Sequence, residues 1–144
     1  MKLFRTLYFL LASFVLISCS GSIGKDEADE FVGTYSVNIT EYVTWGYDSG
    51  TLTDSGTLYI DKVSSNSVKT RGIINTTGRI VGSFIYLDAI YSSDSSGYIN
   101  TTFSSAMLVG NTLTITGNST GQLKYNGTLY PYSSNQRITA TKIQ

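Results

Sequence analysis

From Phe31 onward the chain alternates apolar and polar residues with almost no interruption. Tyr35, Val37, Ile39, Val43 and Trp45 are interleaved with Thr34, Ser36, Asn38, Thr40 and Thr44, the period of two expected of a half-buried strand. Glu41 alone breaks that apolar face. Residues 56–63, 67–75, 79–89, 98–106, 112–117, 122–130 and 136–143 carry the same signature, rich in Val, Ile, Thr and Tyr. The pattern predicts about eight strands, or about nine if residues 90–92 pair separately. No stretch sustains a helical period, and Pro131 is the one proline.

The punctuation between these stretches predicts hairpins. Asn126-Gly127 and Gly110-Asn111 sit between β-forming segments, as two-residue turns prefer. Thr77-Gly78 and Ser95-Ser96-Gly97 are weaker forms of the same signal. Asp48-Ser49-Gly50-Thr51-Leu52 recurs as Asp54-Ser55-Gly56-Thr57-Leu58. It is too short for a structural module, so the repeat predicts a hairpin turn with a bulge. Tyr130-Pro131-Tyr132 predicts a late turn. Short antiparallel strands must dispose of their edges, and closure into a small up-and-down barrel does so economically; a two-sheet β-sandwich is the alternative. An eight-stranded barrel has room for its own side chains or for one small ligand. The alternation sends Tyr35, Leu58, Ile60, Ile85, Leu87, Leu113 and Ile115 inward, which predicts a filled interior. Residues 80–87 are apolar on both faces, which predicts an outer face covered by the N-terminal segment or by a partner.

Two short motifs carry a family resemblance. Phe31-Val32-Gly33-Thr34-Tyr35, directly before the first strand, resembles the Gly-x-Trp opening of lipocalins and other calycins, with Tyr in the Trp position. The closing Ile138-Thr139-Ala140-Thr141-Lys142-Ile143 resembles the last strand of calycin-like lipoprotein domains in Bacteroides-type bacteria. The resemblance implies an all-β, calycin/lipocalin-like barrel over residues 32–144. The opening motif lacks its Trp, and the domain is shorter than most ligand-carrying lipocalins.

The N-terminus reads as an address. Lys2 and Arg5 precede an apolar run over residues 7–17, matching the first two regions of a signal peptide and falling short of the ~20 residues a membrane span needs. Leu16-Ile17-Ser18-Cys19 resembles the lipobox of bacterial lipoprotein precursors. That resemblance implies removal of residues 1–18 and acylation of Cys19, anchoring the chain to a membrane of the cell envelope. Ser20 points to the outer membrane. Cys19 is the only cysteine, so no disulfide staples the fold. Residues 19–31 are small and polar and then acidic through Lys25-Asp26-Glu27-Ala28-Asp29-Glu30, which predicts a flexible tether. The acidic run resembles the surface-export signals of Bacteroides-type lipoproteins but begins several residues later, leaving periplasmic and surface-exposed placements both open.

Charge and composition remove several function classes. Without residues 1–18 the chain carries eight basic and ten acidic residues, a net charge of −2, and has no electrostatic case for nucleic acid or anionic lipid. There is no histidine, so the usual triads, Cys-His dyads and histidine metal sites are absent. Most of Asp48, Asp54, Asp61, Asp88 and Asp94 adjoin Ser or Gly, as turn residues do. Asp48 and Asp54 lack the spacing of a calcium loop. The chain is therefore expected to be non-catalytic, without metal or cofactor.

The aromatics are the positive signal. Trp45 and Tyr47 lie at the first strand's end, with Tyr130 and Tyr132 flanking Pro131. Rings at strand ends combine apolar faces with polar edges and can stack on sugars or gate a barrel mouth. The expectation is a lipid-anchored module binding a small hydrophobe or a glycan through Trp45, Tyr47, Tyr130 and Tyr132, with Glu41 as polar anchor. The alternative is a solid barrel whose outer surface docks on another envelope protein, as accessory subunit or inhibitor.

Overall fold

The computed structural model describes residues 26–144, so the expected signal peptide and Cys19 lie outside the described residues. A short helix, α1 (Glu27–Phe31), leads into ten strands: β1 (Gly33–Trp45), β2 (Asp48–Ser64), β3 (Ser67–Gly72), β4 (Thr76–Val81), β5 (Phe84–Leu87), β6 (Ile90–Asp94), β7 (Gly97–Phe103), β8 (Ala106–Val109), β9 (Thr112–Tyr125) and β10 (Thr128–Lys142). Strands β10, β1, β2, β3, β4, β5, β8 and β9 follow one another around a ring that closes where β9 pairs with β10. This is the expected eight-stranded antiparallel barrel rather than the two-sheet alternative. The β6–β7 hairpin stands outside the ring, paired to the far half of β9.

Unequal strand lengths shape the molecule. Strands β3, β4, β5 and β8 have 4 to 6 residues, whereas β1, β2, β9 and β10 have 13 to 17. The short strands set the height of the closed wall. Beyond it the long strands run on as an open sheet, a wing in the order β2-β1-β10-β9-β7-β6. Directly opposed residues share a face. The wing face continuous with the barrel interior therefore carries Glu41, Val43 and Trp45 beside Gln136, Ser134 and Tyr132.

The barrel interior is filled. Tyr35, Val37, Leu58, Ile60, Val68, Ile80, Ile85, Leu113, Ile115 and Ile138 are almost wholly buried, and Leu87 nearly so. Helix α1 closes the base: Ala28 and Phe31 are fully buried, and the Tyr35 hydroxyl donates to the Phe31 carbonyl at 2.6 Å. Lys142 donates to the Glu30 carbonyl at 3.0 Å and sits 5.9 Å from the Tyr35 ring centroid. Lys62 holds Asp26 and Asp29. Residues 26–31 thus pack as part of the folded unit, ahead of the start expected at Val32. Ala28 and Phe31, three apart within the acidic run, provide one apolar helix face there.

Five local expectations change. Residues 79–89 are a hairpin, because Gly82, at φ 59°, turns the chain between the paired Val81 and Phe84. The outer face of that hairpin is uncovered among the described residues, with Val81 51%, Phe84 42% and Tyr86 43% exposed. The tandem repeat lies inside unbroken β2, whose pairing with β1 runs in constant register from Trp45–Asp48 to Gly33–Ile60. The turn comes earlier, at Gly46-Tyr47, where Gly46 has φ 61°. Thr77-Gly78 lies inside β4, where Gly78 is buried and a side chain would meet Leu87 and the Tyr86 carbonyl. Tyr130-Pro131-Tyr132 is strand, not turn. The Pro131 carbonyl accepts the Gly46 N–H at 3.0 Å, so the missing N–H faces the β1–β2 turn, where the ladder has already ended. Asn126-Gly127 forms the expected hairpin, with φ 46° and 85°, both positive as a type I′ turn requires.

Candidate functional site at the wing tip

Pairing of β1 with β10 brings two hairpin turns side by side, Gly46-Tyr47 and Asn126-Gly127. Their flanking aromatics meet at the tip of the wing. The Trp45 ring stands edge-to-face to Tyr125, with centroids 5.5 Å apart and planes at 84°, and to Tyr130, at 6.5 Å and 83°. These are the offsets that aromatic quadrupoles favour. Gly46 lets the cluster close, since a Cβ there would lie 3.2 Å from the Tyr130 ring.

Two shallow clefts flank the Trp45 indole. One, of about 360 Å³, is lined by Trp45, Gly46, Tyr47, Asp48, Tyr125 and Tyr130. The other, of about 200 Å³, is lined by Val43, Trp45, Asp48, Ser49, Gly50 and Leu52. Trp45 and Asp48 belong to both. The indole N–H is buried and has no hydrogen-bond partner among the described residues. A buried donor left unpaired is costly to the fold. Asp48 adds an exposed carboxylate acceptor at the same rim.

Deeper along the same face lies a polar network. The Glu41 carboxylate accepts from the Tyr132 hydroxyl at 3.0 Å and from Gln136 Nε2 at 2.9 Å. Gln136 continues to Ser119 at 3.4 Å, and Ser119 pairs with Thr101 at 2.8 Å, so the network crosses from β1 to β7. Partial burial pushes the Glu41 pKa up, but the hydroxyls of Ser134 and Tyr132 and the Gln136 amide outweigh it and hold the carboxyl below its ordinary value. Ser134 Oγ is buried outside hydrogen-bond geometry with any described group, yet close enough to favour that charge. Burial and the neighbouring Glu41 push Tyr132 up.

Of the residues singled out from the sequence, Trp45, Tyr47 and Tyr130 share one cleft. Glu41 and Tyr132 sit behind it and are bonded to each other, so Glu41 is engaged with the protein and Tyr132 does not line the cleft. Sequence reasoning missed Tyr125 and assigned Asp48 to a turn. Tyr125 directly precedes Asn126-Gly127, but only the β1–β10 pairing, which joins opposite ends of the chain, shows that this hairpin reaches Trp45. On the opposite face Tyr91 and Tyr98 stack at 6.5 Å beside a cleft of about 420 Å³ that includes Lys124 and Leu129.

Among the described residues no group of three or more His, Cys, Asp or Glu side chains is placed to hold a metal ion, and no helix is long and apolar enough to cross a membrane. The chain matches no model of a known protein family and none of the curated proteins with which it was compared.

Proposed function

We propose that this protein is a non-catalytic binding module, anchored through lipid on Cys19 to a bacterial envelope membrane, whose wing tip takes a neutral glycan. The observation that carries the reading is the Trp45–Tyr125–Tyr130 cluster, whose rings and tyrosine hydroxyls line a cleft with the Asp48 carboxylate at its rim. Sugar rings present C–H faces that stack on aromatics and hydroxyls that need donors and acceptors. The cluster offers both. The filled barrel leaves recognition to the outside of the fold and speaks against a hydrophobe carried in the lumen. The tip also lies at the far end of β1 from α1.

Trp45 is the only tryptophan, so its fluorescence reports directly on the site. Titration with neutral oligosaccharides should give a saturable emission change, and Tyr130→Ala, which keeps the reporter, should weaken binding by about tenfold, the scale of one lost aromatic contact. A flat response to glycans with saturation by fatty acids or sterols would replace the ligand class. Silence from every panel would move the reading to protein docking. Cys19→Ser should abolish incorporation of labelled palmitate in cells; retained label would remove the anchor.

One observation favours the second reading, an accessory or inhibitory barrel docking on an envelope protein. Val81, Phe84, Tyr86, Met107 and Val109 form an exposed apolar strip along the outer faces of β4, β5 and β8. Phe84→Ser with Met107→Ser should leave glycan titrations unchanged and abolish capture of such a partner.

A further inference from the structure

Residues 48–56 of β2 form an unusual edge. They pair with β1 on one side, every one of them is exposed, and among the described residues nothing pairs with the other side. The free stretch has defined ends: the Gly46-Tyr47 turn at one, and at the other Thr57, whose carbonyl already accepts the Ile73 N–H at 3.0 Å. Such an edge is a template for another strand, and proteins usually blunt it with proline, lysine, a bulge or a covering loop. This one has no proline, no lysine and no register shift against β1.

Thr57 also fixes which backbone groups point outward. N–H and C=O directions alternate along a strand, so Ser49, Thr51, Thr53 and Ser55 present theirs to the free side. The Ser55 N–H agrees, being bonded to the adjacent Asp54 carboxylate at 2.8 Å.

The sequence of this edge is complementary to itself read backwards. Asp48-Ser49-Gly50-Thr51-Leu52-Thr53-Asp54-Ser55-Gly56, laid antiparallel on a second copy with Leu52 at the centre, sets each Asp opposite a Gly, Ser49 opposite Ser55, Thr51 opposite Thr53, and Leu52 opposite the partner's Leu52. Hydroxyl and aliphatic cross-strand pairs of this kind are favourable, and like charges directly opposite are not. Centring on Thr51 instead would set Asp48 against the partner's Asp54. Centring on Thr53 would set Leu52 against the partner's Asp54. The two carboxylates thus forbid one neighbouring register, and the aliphatic mismatch disfavours the other.

We propose that residues 48–56 are the edge at which two copies of this chain pair antiparallel about a two-fold axis through Leu52, joining the two wings into one continuous sheet. The outward groups of Ser49, Thr51, Thr53 and Ser55 supply the hydrogen-bonded pairs, leaving the two Leu52 residues as a non-hydrogen-bonded pair with Cα atoms about 4.5 Å apart. The contact is isologous and closed, so it ends at a dimer. It also walls the smaller cleft, because the partner's Asp54 comes to lie beside Gly50 and the partner's Leu52 beside Leu52. The proposal does not depend on what the cleft binds.

The Leu52 pair has the Cα separation a disulfide accepts. Oxidation of the full chain carrying Leu52→Cys should therefore give a reducible dimer well above the wild-type baseline, in which Cys19 is the only cysteine. Ser49→Cys, far from its own mate in this register, and Tyr91→Cys, on the β6 edge, should stay at that baseline. In sedimentation equilibrium the wild-type chain should be dimeric, and Leu52→Lys should raise the dissociation constant by about tenfold or more through like charges at the axis. Leu52 is 58% exposed, so the variant keeps its fold, which circular dichroism verifies. A monomeric wild-type chain, an unshifted Leu52→Lys, or cross-linking at Ser49→Cys or Tyr91→Cys as strong as at Leu52→Cys would each overturn the proposal.

Discussion

Tyr35→Phe removes a single oxygen from the base of the barrel and tests how that base is held. The side chain is fully buried, and its hydroxyl donates to the Phe31 carbonyl at 2.6 Å. Burial first, and the Glu30 carboxylate second, push its pKa from 10.0 up to about 12. At neutral pH the variant forfeits that bond and leaves a buried carbonyl unpaired, a cost of about 1–3 kcal/mol. At high pH the comparison changes. An unfolded chain releases the phenol proton near pH 10, whereas the folded chain keeps it until about pH 12, so the folded state binds more protons in that window. The stability contributed by the neutral phenol is therefore complete below pH 10 and is lost as pH rises towards 12. Shifting one group from 10 to about 12 removes about 1.4 kcal/mol of that stability by pH 11. The Phe variant has no such group and is otherwise the same chain. Urea unfolding followed by far-UV circular dichroism at pH 8 and pH 11 should show the gap between wild type and Tyr35→Phe shrinking by about 1.4 kcal/mol. A gap of the same size at both pH values would refute the buried, hydrogen-bonded phenol.

Phe31→Ala should destabilise the fold by about 3–5 kcal/mol in the same assay, as for a buried aromatic in any core, whereas a residue in a loose tether would cost nothing. Glu41→Gln addresses the wing network. Because the folded-state pKa of Glu41 is depressed, its contribution to stability is present above the ordinary carboxyl value and is lost as pH falls through the depressed one. The variant should accordingly lose less stability than wild type between pH 6 and pH 3, and identical acid profiles would show that the hydrogen bonds from Tyr132 and Gln136 do not favour the charged carboxylate.

The barrel was legible because each of its determinants is local. Alternation over Tyr35 to Trp45 marks a strand with one buried face, Asn126-Gly127 marks a turn whose backbone few other pairs adopt, and all seven residues assigned inward are buried. The failures are local ambiguities that only pairing resolves. The Asp-Ser-Gly repeat has the composition of a turn, yet Gly46, at φ 61°, made the turn first and left the repeat as strand. Pro131 has the composition of a loop, yet it stands where β10 overhangs the end of β1 and no donor is needed. The wing itself follows from differences in strand length that period-two patterning does not encode. So too the aromatic site was half legible: the rings at strand ends were visible, but not that Tyr125 joins Trp45 while Tyr132 turns to Glu41.

The division between a filled barrel and an open wing has an energetic consequence. Closed walls and a filled apolar interior stabilise β3, β4, β5 and β8 despite their shortness, whereas residues 48–56 bury no side chain and lean on β1 alone. That stretch is the place where local opening costs least. It is also one wall of the smaller cleft beside Trp45, through Asp48, Ser49, Gly50 and Leu52. Whatever orders the edge therefore preforms the cleft, and whatever fills the cleft steadies the edge. Pairing of two wings and ligand binding at the tip would be coupled in this way without any movement of the barrel, and by linkage each would strengthen the other by the same factor.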